Sequence, residues 1–290
     1  MSNKNTLFPQ THTLNIRGKL MVLDTPKVMG ILNVTPDSFY DGGKLKTDKD
    51  VLLQAEKMIL EGADIIDVGG MSTKPNSEEI SETEELNRVV PVINLLQQHF
   101  SDTILSLDTY RSKVAEAGLE AGVGIINDIS AGSFDGKMFA TVAPFNAPYI
   151  IMHIQGTPQT MQQNPQYENV VQEVLQYFIQ KIYSAQKAGI KDIIIDPGFG
   201  FGKTLAHNYT LLKYLNDFSI LRKPLLAGLS RKSMIGKLLK VKPSEALNGT
   251  TALNTIALLN GAAILRVHDV KEAKEVIKIT EFYRYNSLSC

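Results

Sequence analysis

Eight short apolar runs recur along the chain, each followed by a polar or glycine-rich loop and then a longer stretch of helical periodicity. The runs cover residues 28–34, 64–70, 103–109, 125–130, 149–154, 192–198, 224–230 and 263–269. The helical stretches cover 48–61, 81–99, 111–121, 135–143, 168–188, 205–218, 244–260 and 270–283. Strict alternation of strand and helix demands crossover connections, so the strands are expected to be parallel. Runs such as Ile193-Ile194-Ile195 are apolar at successive positions, as in strands covered on both faces. Eight such units in about 250 residues is the arithmetic of a closed (β/α)8 TIM barrel; an open doubly wound sheet is the alternative. Ahead of the first run, residues 13–23 alternate around Gly18-Lys19, which predicts a short N-terminal β-hairpin closing the barrel bottom. Ser81-Glu82-Thr83-Glu84 reads as a capping box opening a helix. With no compositional break in 290 residues, one domain is expected, with the hairpin at about 13–23 and the barrel at about 28–283.

Charge narrows the function classes. Thirty basic residues balance thirty acidic ones, so no global positive field exists to hold nucleic acid or an anionic membrane. Neither partner is expected, and no apolar run reaches membrane-spanning length. Cys290 is the single cysteine, which excludes an intramolecular disulfide and a thiolate metal site. The first residues carry no targeting pattern, so a cytoplasmic location is expected.

In a βα barrel the loops after the C-terminal strand ends form the active face, so the residues at those ends decide the chemistry. Here they are Asn33, Asp67, Asp108, Asn127-Asp128, His153, Asp196, Ser230 and Arg266-Val267-His268. A single Asp or Asn at a strand end is usually a turn former. Several together are different, because burying Asp67, Asp108, Asn127 and Asp196 at one mouth demands hydrogen-bond donors. A donor-rich heterocycle supplies them: carboxylates accept paired N–H groups from an amidine-like edge, and a carboxamide both donates and accepts. Opposite this acidic set the sequence places a cationic one, Lys232, Arg266 and His268. Arg266 and His268 are two apart on a strand and share a face, and Lys232 stands at an expected helix start. This set is read as a phosphate or pyrophosphate site.

Two motifs are set aside. Gly198 and Gly202-Lys203-Thr204 are separated by three residues where a nucleotide phosphate loop needs four. The five histidines show no ligand spacing, which argues against a zinc hydrolase, and His12, His99 and His207 are expected at the surface. Asn33 reads equally as a turn former or as one oxygen ligand of Mg²⁺.

Several blocks, in order, resemble the signature blocks of the dihydropteroate synthases. They are Met29-Gly30-Ile31-Leu32-Asn33-Val34-Thr35-Pro36-Asp37-Ser38-Phe39, Asp67-Val68-Gly69-Gly70-Met71-Ser72-Thr73-Lys74-Pro75, Asp196-Pro197-Gly198-Phe199-Gly200-Phe201-Gly202-Lys203, Ser230-Arg231-Lys232-Ser233 and Arg266-Val267-His268-Asp269-Val270. The resemblance implies a TIM barrel, usually a homodimer, that condenses 6-hydroxymethyl-7,8-dihydropterin pyrophosphate with p-aminobenzoate in folate biosynthesis. It implies that Asp108, Asn127, Asp196 and Lys232 hold the pterin, with Met152 in its pocket. Asn33 would ligate Mg²⁺ on the pyrophosphate, Arg266 and His268 would bind the leaving group, and Thr73 would sit near it. Phe201, Pro75 and Ser233 would shape the aminobenzoate pocket. Asp108, Asp196, Lys232, Arg266 and His268 are the expected catalytic set. The loops 35–44, with a hinge at Gly42-Gly43, and 71–80 are expected to close over the substrates. The second loop departs from the family's usual Ser-Thr-Arg-Pro-Gly: Lys74 and Asn76 stand in it, which bears on its response to aminobenzoate mimics such as sulfonamides. Three rivals share parts of this pattern. They are a methyltetrahydrofolate-binding barrel of a corrinoid methyltransferase system, a phosphosugar aldolase using Lys232, and a non-catalytic pterin carrier.

Overall fold

The computed structural model describes residues 12–34, 47–71 and 79–285. The expected closing loop 35–44 with its Gly42-Gly43 hinge, and residues 72–78 of the second loop, which include Thr73, Lys74, Pro75 and Asn76, fall outside the described residues, as does Cys290.

The expected hairpin is present as β1 (Thr13–Ile16) and β2 (Lys19–Val22), paired antiparallel. Its turn residues Arg17 and Gly18 have φ of 52° and 82°, the double positive φ that matches strand twist in a two-residue turn. Arg17 Nη1 donates to Gly122 O at 2.9 Å, and Asn15 N to Asp192 Oδ2 at 2.7 Å, which fixes the hairpin to the barrel floor. Leu14, Ile16 and Leu23 fill that floor against Met29, Ile65, Ile125, Ile150, Ile194, Leu226 and Ile264, contributed by nearly every strand. Each such side chain stabilises the closure by roughly 1.5–3 kcal/mol.

Eight parallel strands then alternate with helices. They are β3 (Lys27–Asn33), β4 (Ile65–Gly69), β5 (Ile104–Asp108), β6 (Ile125–Asp128), β7 (Tyr149–Met152), β8 (Ile193–Asp196), β9 (Leu226–Ala227) and β10 (Ile264–Val267). The spatial order is β8-β7-β6-β5-β4-β3-β10-β9. The ring closes through one bridge, Ile195 with Leu225, where Ile195 N donates to Pro224 O at 3.0 Å. The barrel is therefore the TIM type and not an open doubly wound sheet. Strand β9 is far shorter than expected because Pro224 has no N–H for the ladder and the chain turns early, Lys232 N bonding to Leu229 O.

The outer helices are α1 (Asp48–Leu60), α2 (Glu82–His99), α3 (Ser112–Glu120), α4 (Met138–Val142), α5 (Val170–Lys187), α6 (Leu205–Lys213), α7 (Ser233–Leu239), α8 (Leu247–Leu259) and α9 (Val270–Tyr285). Three expectations are corrected here. Ser81 Oγ caps Glu84 N at 3.1 Å, but the reciprocal half of the capping box is missing because Glu84 pairs with Arg88 at 2.9 Å. The helix expected from residue 135 starts at Met138, since the Asp135 carboxylate accepts from Ser112 N at 2.7 Å and Lys137 N at 3.0 Å. The stretch 205–218 divides into α6 and a 3-10 segment, Leu215–Leu221.

Register positions the mouth. Asn33 pairs with Gly69, Gly69 with Asp108, and Asp108 with Asn127, so these four lie abreast across adjacent strands. On β7 and β8, Met152 pairs with Asp196. Arg266 pairs with Met29, which pairs with Ile65, two residues below Asp67. Its long side chain therefore climbs the barrel interior to reach the acids above.

Candidate active site

Asp67 is the hub of the mouth. It is 0% exposed; its Oδ2 accepts from Arg266 Nε at 2.6 Å and from Asn127 Nδ2 at 3.0 Å. Arg266 Nη2 reaches the neighbouring acid, Asp108 Oδ2, at 2.7 Å. One guanidinium thus bridges two carboxylates from adjacent strands. The expectation of an acidic set facing a separate cationic one is corrected: Arg266 lies inside the acidic set. A buried carboxylate needs a hydrogen-bonded cation, and Arg266, rising from below, supplies it to Asp67.

Burial raises the Asp108 carboxyl to about 7, with Arg266 opposing the rise and Asp67 adding to it. Burial also raises Asp196, against the hydrogen bond from Gly198 N and the charge of Lys232. Burial lowers Lys232 to about 8, opposed by Asp196. Arg266 is pushed upward by its two carboxylates. These perturbed groups share one cleft, which is where catalytic sites concentrate such shifts.

His268 is the second correction. Burial, helped by the charges of Arg266, Arg231 and Lys232, lowers it to about 3, so at neutral pH it is a neutral imidazole and not a member of a cationic trio. Ser230 Oγ accepts from His268 N at 3.2 Å and lies 3.0 Å from its Nδ1, so one hydroxyl holds both the backbone and the ring of His268. Between them in sequence, Arg231 adopts φ 55° and holds Asp269 with two bonds of 2.8 and 2.6 Å. That fork fixes the turn carrying Ser230 and Lys232.

Lys232 is the N-cap of α7, and its ammonium lies 4.2 Å from the centroid of the Phe201 ring, a cation–π contact. Phe201 belongs to an apolar wall with Ile129, Met152 and Met161, flanked by Tyr110 and Ile154. Met152 and Phe201 are expected near the mouth from the sequence and the structure packs them in one wall; Ile129, Met161 and Tyr110 were not expected there. Ile129 directly follows the polar strand end Asp128 and Tyr110 stands two residues after Asp108, and that closeness is the sequence signal for them. Ser233 stands exposed at the first turn of α7. Asn33 is half-buried at the end of β3. Gly69 leaves room beside it, since a Cβ there would stand 3.3 Å from Asn33 Oδ1 and 3.7 Å from Asp108 Cβ. Of the three histidines expected at the surface, His99 is exposed, while His12 and His207 are half-buried, His207 accepting from Thr204 N at 3.3 Å.

The glycine-rich segment after β8 carries no phosphate loop. Lys203 is 2% exposed and its ammonium is turned inward onto protein acceptors. Among the described residues no group of three or more His, Cys, Asp or Glu side chains is arranged to hold a metal, and no helix is long and apolar enough to cross a membrane.

Fold and mouth together define a (β/α)8 barrel enzyme whose strand ends combine buried carboxylates, a carboxamide and cations around an apolar wall. The profile described as "Pterin binding enzyme" matches residues 29–268. Dihydropteroate synthase of Escherichia coli (strain K12) is 48% identical over 267 residues, 91% of this chain and 94% of that protein. The structure of Yersinia pestis dihydropteroate synthase with a sulfonamide drug complex superposes with TM-score 0.90 at 45% identity, covering 94% of this chain and 99% of the other. That of Xanthomonas albilineans dihydropteroate synthase with 4-aminobenzoic acid gives TM-score 0.89 at 38% identity, covering 96% and 100%. The chain belongs to the pterin-binding enzyme family and, within it, to the dihydropteroate synthases.

Proposed function

We propose that this chain condenses 6-hydroxymethyl-7,8-dihydropterin pyrophosphate with p-aminobenzoate, giving 7,8-dihydropteroate and pyrophosphate. The observation that carries the reading is the bridge Asp67–Arg266–Asp108 beside Asn127, which presents ionisable acceptors and a carboxamide abreast at the mouth. In this reading Asp108, Asn127 and Asp196 take the amide and amidine edge of the pterin, Met152 lies against its ring, and Lys232 donates to it. The C–O bond between the pterin methylene and pyrophosphate breaks with its electron pair leaving on oxygen. Arg266 and the neutral N–H of His268 stabilise that charge, while ionised Asp108 and Asp196 stabilise the electron-poor pterin. The amine lone pair then forms the C–N bond and the amine loses a proton to solvent. Phe201, Ser233 and Pro75 shape the arylamine side, and Thr73 the leaving-group side.

Mg²⁺ belongs to the same reading. Asn33 offers one amide oxygen beside Gly69, which suits an ion that takes most of its ligands from water and substrate phosphates. When bound, such an ion neutralises charge on the departing oxygens. The reading also carries a cytoplasmic location and a homodimer; exposed Ile256 and Leu259 on α8 and Ile279 and Phe282 on α9 support a partner surface. Sedimentation should give twice the chain mass; a monomer at all concentrations removes the dimer.

The deciding assay supplies Mg²⁺ and the dihydropterin pyrophosphate, with and without p-aminobenzoate, and follows pyrophosphate and dihydropteroate together. Product that requires both substrates is the expected result. Tight pterin binding with neither pyrophosphate release nor condensation would overturn the condensation and leave methyltetrahydrofolate binding or a pterin-carrier role.

A further inference from the structure

Lys203 is a buried cation with no task in the chemistry above. Its Nζ lies 2.9 Å from His153 Nδ1, 3.2 Å from His153 O, 3.0 Å from Gly198 O and 2.9 Å from Phe201 O. All four are acceptors if the imidazole proton is on Nε2, and burial with the nearby Lys203 charge keeps that ring neutral, at about 2. Four acceptors around one nitrogen fit an ammonium with its three donors; burial lowers this amine to about 7, opposed by the Asp196 carboxylate. The charge is enclosed by the loop it belongs to and by the end of β7.

The same loop is held elsewhere at Gly198, Gly200, Phe201 N and Gly202. Gly200 N donates to Asn208 Oδ1 at 2.7 Å and Gly200 O accepts from Gln162 Nε2 at 2.7 Å. Gly202 O accepts from Tyr167 OH at 2.8 Å. The loop packs so closely on β7 that a Cβ at Gly198, where φ is 70°, would stand 2.0 Å from His153 O. The only bond that ties the Phe201 carbonyl comes from Lys203 among the described residues, and the Phe201 ring is the surface on which Lys232 rests.

We infer that Lys203 is a positioning residue: its buried ammonium fastens the loop after β8 to the end of β7 and so sets the Phe201 ring against Lys232. Given the proposed condensation, on which the kinetic half of this inference rests, the arylamine side of the mouth depends on Lys203 more than the pterin side does. Asp196 stands one step further from Lys203: its strand register with Met152 fixes its backbone, and Gly198 N, whose own carbonyl Lys203 reaches, holds its carboxylate.

The test compares the full-length protein with Lys203→Met, which keeps length and removes charge, and Lys203→Gln, which keeps a shorter donor. With 4-fluorophenylalanine incorporated and the Phe201 fluorine signal assigned through Phe201→Leu, the Phe201 line should shift or broaden in Lys203→Met. The core signals of Phe178 and Phe218 should stay in place. KM for p-aminobenzoate should rise on the order of tenfold, as for a displaced pocket wall. The Kd of the dihydropterin pyrophosphate should stay within about twofold, the range of a site not directly touched. Lys203→Gln should fall between. An unmoved Phe201 signal overturns the inference, as does equal weakening of both substrates in step with a lowered melting temperature. If neither variant folds, Lys203 is a stability residue and the inference fails. If the unaltered protein makes no dihydropteroate, the function fails while the fluorine signals still decide whether Lys203 positions Phe201.

Discussion

Arg266→Met is expected to lower condensation by on the order of 10³-fold and to destabilise the fold by about 3–5 kcal/mol. The two effects have one origin. Asp67 is 0% exposed and Arg266 is its only ionic partner at hydrogen-bond distance among the described residues, so removing the guanidinium leaves a buried carboxylate uncompensated. The activity loss exceeds what one lost anion contact would give, because Arg266 also holds Asp108 at 2.7 Å and thereby fixes the acceptor presented to the heterocycle. Its Nη1 edge is engaged by neither carboxylate, which leaves a donor for the departing oxygens. Arg266→Lys should recover little, since a single ammonium cannot bridge two acids through separate nitrogens. Steady-state kinetics and urea unfolding separate the two effects when Asp67→Asn is added. The double variant should regain stability, because the unpaired charge is gone, and remain inactive. Full stability in Arg266→Met alone would show that Asp67 does not depend on this ion pair.

The period of the sequence made the barrel legible, because parallel strands buried on both faces have few other readings. Strand ends were legible too, and they put Asp108, Asn127, Asp196 and Arg266 at one mouth. Which charge meets which was not. Arg266 starts two ladder positions below Asp67, and only the stagger between β10, β3 and β4 determines that its side chain rises into the acidic set. The neutrality of His268 depends in the same way on burial and three neighbouring cations that converge only in the fold. Glycine spacing around Lys203 set a nucleotide loop aside, yet it gave the ammonium no destination, since three of its four acceptors are backbone carbonyls and carry no residue signature. Helix ends slipped where a tertiary acceptor took a capping role, as Asp135 does for Ser112 N.

The pH profile should carry the signature of this burial. If Asp108 must be ionised to accept from the pterin, kcat/KM for the dihydropterin pyrophosphate rises with pH through about 7, where burial has moved this carboxyl. If Lys232 must be protonated to donate, the same quantity falls above about 8. The expected profile is a narrow bell. Asp108→Asn should abolish the acid limb and lower the maximum by on the order of 10²-fold or more. Asp196 is also raised by burial, so Asp196→Asn is the paired control, and the limb near 7 must survive it at lower rate. A limb unchanged in Asp108→Asn would remove Asp108 from this role. Stability runs the other way. The folded-state value of Asp108 lies above its unfolded value of about 3.9, so the folded protein binds this proton more tightly. Its contribution to stability is fully present below the unfolded value and is lost as pH rises through about 7. Chemical denaturation across that window should therefore show wild type losing stability relative to Asp108→Asn while its activity climbs. The desolvation that penalises the carboxylate is what strengthens its hydrogen bonds once a donor-bearing ring excludes water, so activity and stability are coupled with opposite sign through one residue.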